Sequence, residues 1–120
     1  MMEGPIYQKS HEFARLSIDL YKLMQSHNEF IISRQLLASA TSVGANVREA
    51  SAASSRKDFI NKMTIASKEA RESKYWLELI QDSKIVDCDL TAMMTLNMEI
   101  IKILNSIILT SKGIKRNNKT

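Results

Sequence analysis

Apolar side chains recur at alternating steps of three and four residues in the first part of this 120-residue chain. The first such row is Phe13, Leu16, Leu20 and Leu23. This spacing places side chains on one face of an α-helix. The pattern therefore predicts a first helix over about residues 6–25, which ends at the polar stretch Ser26 to Glu29.

The same periodicity predicts three more helices, over about residues 30–52, 56–83 and 90–112. Ser54 or Ser55 is expected to cap the third helix, and Asp58 follows at nearly the spacing of a capping box. Asp87 or Asp89 is expected to cap the fourth helix. Four such helices with short loops predict an all-α fold, an antiparallel up-down-up-down four-helix bundle in a single domain at residues 1–112.

The fourth predicted helix is apolar around most of its circumference. Its polar side is a single row, Thr91, Thr95, Glu99, Lys102 and Ser106. Leu, Ile and Met fill most of the remaining positions, among them Met94, Met98 and Ile101. A helix in a monomeric bundle needs an apolar arc of only about 100°. The wider surface is expected to meet another chain, so the sequence predicts a homo-oligomer.

Small residues dominate the second predicted helix, and its polar positions form one continuous row. The row is Gln35, Ser39, Ser42, Asn46 and Glu49. One interpretation is a closely packed polar seam, in the bundle or between subunits, because small side chains let helices approach. The other is a face turned to water. The lack of long charged side chains between Arg34 and Arg48 favours the seam.

A basic row follows one face of the third predicted helix and ends in an aromatic ring. Its members are Lys57, Asn61, Thr64, Lys68, Arg71 and Tyr75, and Arg48 and Arg56 precede them. Clustered Lys and Arg can bind phosphates, and an aromatic ring can stack on a base. The alternative is a solvated face with the intrahelical pairs Asp58–Lys62 and Lys68–Glu72.

The formal net charge of +4 comes from the C-terminal end of the chain. Lys112, Lys115, Arg116 and Lys119 lie there without an acid, and the rest of the chain carries 13 cationic and 13 anionic side chains. Gly113 suits the position after a helix C-terminus. Residues 113–120 are thus expected to form a flexible basic tail, either a solubilising end or an aid in contacting an anionic polymer.

Catalytic chemistry is not visible in the sequence. A di-iron bundle needs Glu-x-x-His pairs, and neither His11 nor His27 has a glutamate three residues before it. Glu69 and Glu72 lie one turn apart, but neighbouring Lys and Arg indicate a solvated ion-pair face. Cys88 lies between two aspartates, which would raise the pKa of its thiol. We expect no catalytic residue, no metal, no cofactor and no enzymatic activity.

The expected compartment is the cytoplasm. One cysteine per chain fits a reducing environment. The N-terminal "MMEGPIYQ" lacks the basic and then apolar pattern of a signal peptide. No uninterrupted apolar run approaches the roughly 18 residues of a membrane span, so no membrane segment is expected.

Two stretches resemble the four-helix-bundle family of 23S rRNA intervening-sequence proteins. "YQKSHEFARLSIDLYKL" is similar to the opening helix of that family, and residues 34–80 are similar to its signature region. The matching elements there are Gln35, Ser42, Asn46, Glu49, Ser55, Lys57, Asp58 and Phe59. "KEARESKYWLELI" resembles the Glu-Ala-x-Glu-Ser/Thr-x-Tyr-Trp-Leu pattern of one branch. The family often has Arg, Pro and Gly where Leu37, Gly44 and Ala50 stand, and the missing arginine weakens a basic site on the second helix.

The resemblance implies a bundle that assembles into a closed ring, typically a homopentamer, with no established enzymatic activity. Some members of the family are encoded within inserts of large-subunit ribosomal RNA genes. A similar relative, the accessory variability protein of diversity-generating retroelements, binds a reverse transcriptase and nucleic acid. Two functions follow as expectations: binding of nucleic acid, RNA or DNA, with structured RNA as the leading candidate ligand, or an assembly scaffold for a protein partner such as a reverse transcriptase.

Overall fold

The computed structural model describes residues 4–114 and folds them into four α-helices. These are α1, Pro5–Ser26; α2, Ile32–Ser51; α3, Arg56–Ser83; and α4, Thr91–Ser111. The bounds of α3 are those that the periodicity predicts, and the other helices begin and end within two residues of the prediction. Lys115, Arg116 and Lys119 of the predicted basic tail lie outside the described residues.

Each helix packs against the next along the chain, and α4 closes the bundle against α1. Within residues 4–114 the diagonal pairs, α1 with α3 and α2 with α4, are not in contact. The predicted all-α four-helix bundle is therefore confirmed. The α1–α4 contact is the thinnest of the four, and α2–α3 is the most extensive.

The predicted apolar rows meet in the core. Phe13 of α1, Leu36 of α2, Leu77 of α3 and Leu104 of α4 are fully shielded from solvent. Burying each such side chain favours folding by about 1.5–3 kcal/mol. The apolar stripes therefore orient the helices, and this orientation decides which polar rows face outward.

The predicted cap of α3 forms, whereas the prediction for α4 is wrong because its N-cap residue is Leu90 and not Asp87 or Asp89. Ser55 is the N-cap residue of α3, and its Oγ accepts a hydrogen bond from the Asp58 backbone N–H at 3.0 Å. The Asp58 carboxylate in turn accepts from the Ser54 N–H at 3.4 Å. At the start of α4, Asp89 Oδ1 accepts from the Thr91 N–H at 2.9 Å. These bonds satisfy N–H groups that have no partner within the helix.

Two residues with positive φ follow the ends of α3 and α4. Gly113 has φ +78°, and its N–H donates to the Thr110 carbonyl at 3.0 Å. The Ile114 N–H donates to the Leu109 carbonyl at 2.9 Å, which completes a Schellman motif. After α3, Lys84 takes the same left-handed region at φ 54° although it carries a Cβ.

Among the described residues, α4 is the one helix long and apolar enough to span a membrane by length and composition, with a mean hydropathy of 1.4. The expectation that no segment would approach a span overlooked this helix. Glu99 and Lys102 interrupt its apolar run but leave its average high. A core helix of a soluble protein meets the same criteria, so one such helix is weak evidence for a membrane segment.

Candidate nucleic-acid interface

The basic row of α3 lies on the outer surface of the bundle. The core side of α3 is marked by Met63, Ala66, Ala70 and Leu77, which are buried. On the opposite side Lys57, Asn61, Lys68, Arg71 and Tyr75 are exposed and Thr64 is half-buried. From Lys57 to Tyr75 the row rises through 18 residue steps, about 27 Å at 1.5 Å per step. We call these six residues the α3 outer row.

Carboxylates of α2 and α3 form no ion pair with this row among residues 4–114. Lys62 Nζ pairs with Glu49 of α2 at 3.0 Å, and Glu49 raises the pKa of that lysine. Glu72 accepts a hydrogen bond from Trp76 Nε1 at 3.1 Å. The two alternative pairs suggested by the sequence, Asp58–Lys62 and Lys68–Glu72, form no close ion pair in the described residues, although the Asp58 charge also raises the pKa of Lys62. Neither Lys57 nor Lys68 makes an ion pair in this part of the chain.

Arg71 contributes charge to the row without a carboxylate partner among residues 4–114. Its guanidinium donates to Asn105 Oδ1 of α4 at 3.3 Å. Because the amide is neutral, this bond orients the side chain and leaves its charge uncompensated. Arg56, the first residue of α3, is exposed and has no ion pair in the described region.

The outer surface of α1 provides a contrast. Arg15 pairs there with Glu12 at 2.8 Å and with Asp19 at 3.2 Å. Two carboxylates of the same helix thus surround one guanidinium and neutralise the charge of Arg15. Other exposed cations outside the row also lack an ion pair in the described residues; the α3 outer row differs in aligning three such cations along one side of a single helix.

Arg48 does not join the α3 outer row. Its guanidinium carbon lies 4.7 Å from the centre of the Tyr7 ring, and one of its nitrogens is 3.1 Å from His11 Nδ1. Both partners belong to α1, so Arg48 lies on the α1–α2 side, whereas Arg71 reaches α4. Arg48 is thus engaged in a cation–π contact. The predicted set of basic residues is divided between two faces.

The predicted polar seam of α2 faces α3 within the same chain. Ser39 is buried, and its Oγ lies 2.9 Å from Ser73 Oγ. Glu49 reaches Lys62 as described above, and Asn46 Nδ2 donates to the Ser42 carbonyl at 2.9 Å. Gln35, at the other end of the row, is exposed. Ser39 and Glu49 of the row thus contact α3 of the same chain.

The apolar residues predicted to meet another chain lie at different depths on α4. Ile101 is 5% exposed and packs in the core of its own bundle. Met94 is half-buried, and Met98 is 37% exposed. Leu96, Ile103 and Ile107 are also half-buried. Part of the wide apolar arc therefore remains open to solvent in the single chain.

Asn97 is a buried polar residue that the hydrophobic pattern did not reveal. It is 1% exposed, and its Nδ2 donates to the Ala70 carbonyl of α3 at 3.1 Å. A buried amide needs such a partner, since an unpaired one costs about 1–3 kcal/mol. The sequence contains one signal of this burial, because Asn97 lies between Met93 and Ile101 on the buried side of α4.

The remaining titratable groups offer little catalytic chemistry. Partial burial and the neighbouring Asp87 and Asp89 raise the pKa of the Cys88 thiol, as the sequence predicts, which disfavours the reactive thiolate. Burial and the nearby Glu72 raise the pKa of Glu69. In the region that the structure describes, no group of three or more His, Cys, Asp or Glu could hold a metal ion.

The family model of the 23S rRNA-intervening sequence protein matches residues 3–106. This chain belongs to that family. The match includes α1, α2 and α3 and most of α4, so the α3 outer row lies inside the matched region. No curated relative matches the chain.

A crystal structure of a protein from Bacteroides thetaiotaomicron is similar to this chain. It is described as a protein of unknown function from the S23 ribosomal protein family. The two sequences are 47% identical, the TM-score is 0.82, and the alignment covers 86% of this chain and 97% of the other. The bundle is therefore shared with a solved structure.

Proposed function

We propose that this protein is a non-enzymatic, ring-forming bundle that binds nucleic acid, preferably structured RNA, through the α3 outer row. The observation that carries the proposal is the exposed alignment of Lys57, Lys68 and Arg71 without a described carboxylate partner. Phosphate groups are the anions that such a row suits, and each contact releases counterions. The family name refers to 23S rRNA, which makes RNA the first candidate ligand.

Assembly would strengthen a modest site. Three cations per chain supply little affinity, but several copies of the row in a ring, typically a pentamer, bind one polymer with a high effective concentration. The exposed apolar surface of α4 supports assembly. Arg56 extends the row at its N-terminal end, whereas Arg48 plays a smaller part because Tyr7 and His11 already engage it.

Binding is tested by titrating the purified protein with a labelled RNA hairpin across roughly 50–200 mM salt. We expect affinity to fall steeply as salt rises. Changing Lys68→Gln or Arg71→Gln should weaken binding to all sequences alike and reduce the logarithmic salt slope by about 1 for each phosphate that the variant no longer neutralises. Lys22→Gln is the matched control, because it removes one exposed lysine from α1.

The proposal fails if the protein binds no RNA or DNA at low salt, or if its affinity is insensitive to salt. It also fails if Lys22→Gln weakens binding as much as Lys68→Gln does. In that case the attraction would belong to the overall charge of the chain and not to the α3 outer row.

The second candidate is a scaffold for a protein partner such as a reverse transcriptase. The partly exposed apolar surface of α4, including Met98, favours it. Co-purification of one stoichiometric protein partner, in a preparation whose absorbance ratio excludes nucleic acid, would support this function over the first. Both functions are consistent with a cytoplasmic protein, which fractionation of cells into soluble and membrane extracts would test.

A further inference from the structure

The α3 outer row ends at an aromatic ring that is open to solvent. Tyr75 is 55% exposed, although most of a tyrosine side chain is apolar. It follows Lys68 and Arg71 at steps of three and four along the same side of α3. The next positions on this side are Leu79 and Asp82, so the cationic part of the row ends where the ring stands.

The neighbouring side chains hold this ring in place. Trp76 meets Tyr75 edge to face, with ring centres 4.9 Å apart and planes at 63°. Trp76 is itself half-buried, and its indole N–H is bound to Glu72. Edge-to-face contact is one of the favourable arrangements of an aromatic pair. The tryptophan thus restrains Tyr75 while much of the tyrosine ring stays accessible.

From this arrangement, and resting on the proposed function, we infer that Tyr75 stacks on an unpaired base of the bound nucleic acid while Lys68 and Arg71 contact the phosphates beside it. In a duplex the faces of the bases are covered by their neighbours, whereas loops, bulges and single strands leave them free for aromatic side chains. The α3 outer row therefore selects nucleic acid with an unpaired segment next to its backbone contacts.

Two probes of the same length test the inference: a short single-stranded RNA and a blunt-ended RNA duplex. Tyr75→Ala is expected to weaken binding of the single strand roughly 5- to 150-fold, the range of one base–aromatic stack, and to leave duplex binding unchanged. Tyr75→Phe keeps the ring and should bind as the unaltered protein does. Phe30→Ala, which removes another exposed aromatic ring, is the matched control.

Trp76 supplies a direct signal, because it is the one tryptophan in the chain. Its fluorescence should change when the single strand binds and change little when the duplex binds. Circular dichroism establishes that each variant is folded, and light scattering establishes that its assembly is unaltered.

The inference is overturned if Tyr75→Ala weakens the binding of both probes equally or weakens the binding of neither. It is also overturned if the variant acts by changing the assembly of the protein. In those cases a continued effect of Lys68→Gln and Arg71→Gln on both probes would leave the proposed function standing. If neither probe binds the unaltered protein at low salt, the proposed function fails, and the inference fails with it.

Discussion

Glu29 binds the free backbone N–H groups at the start of α2, a capping role that short polar residues usually have. Its carboxylate accepts hydrogen bonds from three backbone N–H groups, those of Ile31 at 3.0 Å, Ile32 at 2.9 Å and Ser33 at 2.7 Å. Burial acts to raise the pKa of Glu29, but these bonds outweigh it and hold the pKa below its usual range. The charged form therefore stabilises the folded state.

Replacing Glu29→Gln should lower the free energy of unfolding by about 1–2 kcal/mol at neutral pH, the usual size of an N-terminal cap. An amide has one acceptor oxygen, so it cannot serve all three N–H groups. The pKa of Glu29 is lower in the folded than in the unfolded protein. Its carboxylate therefore contributes fully to stability above the unfolded pKa, about 4.3, and the contribution is lost as pH falls through the folded pKa. Urea unfolding at several pH values should show the two proteins converging in acid; a constant difference would contradict this account.

Gly44 lies where α2 approaches α1. A Cβ at this position would lie 3.4 Å from the Ser10 carbonyl oxygen and 3.7 Å from its Oγ, which is ordinary contact. Space for a methyl group therefore exists, whereas a branched side chain would have to displace the backbone of α1.

Gly44→Ala is expected to leave stability unchanged or raise it by up to about 1 kcal/mol, because alanine favours a helix interior over glycine. Gly44→Val is the matched comparison and should destabilise the bundle. Thermal unfolding followed by circular dichroism measures both. A clear loss of stability in the alanine variant would mean that the α1–α2 contact is tighter than the distances indicate.

The helices and their arrangement in a bundle were largely predictable, whereas the side-chain contacts between helices were not. The bounds of α3 and its Ser55 cap follow from local spacing, which the sequence displays directly. The ion pair of Lys62 does not follow from local spacing, because its partner Glu49 lies on another helix, 13 positions away. Glu29 was missed because glutamate is not among the favoured N-cap residues. Contacts between helices decide which cations on α3 remain without an ion pair. The periodicity of the sequence does not reveal these contacts.

At the end of α3, Lys84 has a left-handed conformation that costs a residue with a Cβ about 1–2 kcal/mol. Lys84→Gly should therefore stabilise the protein by about 0.5–1 kcal/mol, after allowance for the greater freedom of glycine in the unfolded chain. The denaturation midpoint should rise with an unchanged slope. Lys84→Ala keeps the Cβ and serves as the control; equal midpoints for the two variants would contradict the explanation.

The whole molecule presents a basic side on α3 and a partly apolar side on α4. We expect the purified protein to have a mass of several times 13.6 kDa by light scattering at micromolar concentration. Met98→Glu, which places a charge on the exposed apolar surface of α4, should shift the mass towards the single chain. Thr95→Glu adds the same charge to the polar row of α4 and should not. A wild-type protein with the mass of one chain would refute assembly through this surface.

The bond from Asn97 to the Ala70 carbonyl bears on how the molecule reaches a single native state. A helix that is apolar almost all round could turn about its own axis and exchange one set of Leu, Ile and Met for another with similar burial. The alternatives would lie close in energy, and the folding landscape would have several competing minima. In those orientations the amide of Asn97 would lose its partner on α3. This buried hydrogen bond therefore favours the native rotation of α4, together with the Arg71–Asn105 bond and the Lys9–Glu99 ion pair on its outer side.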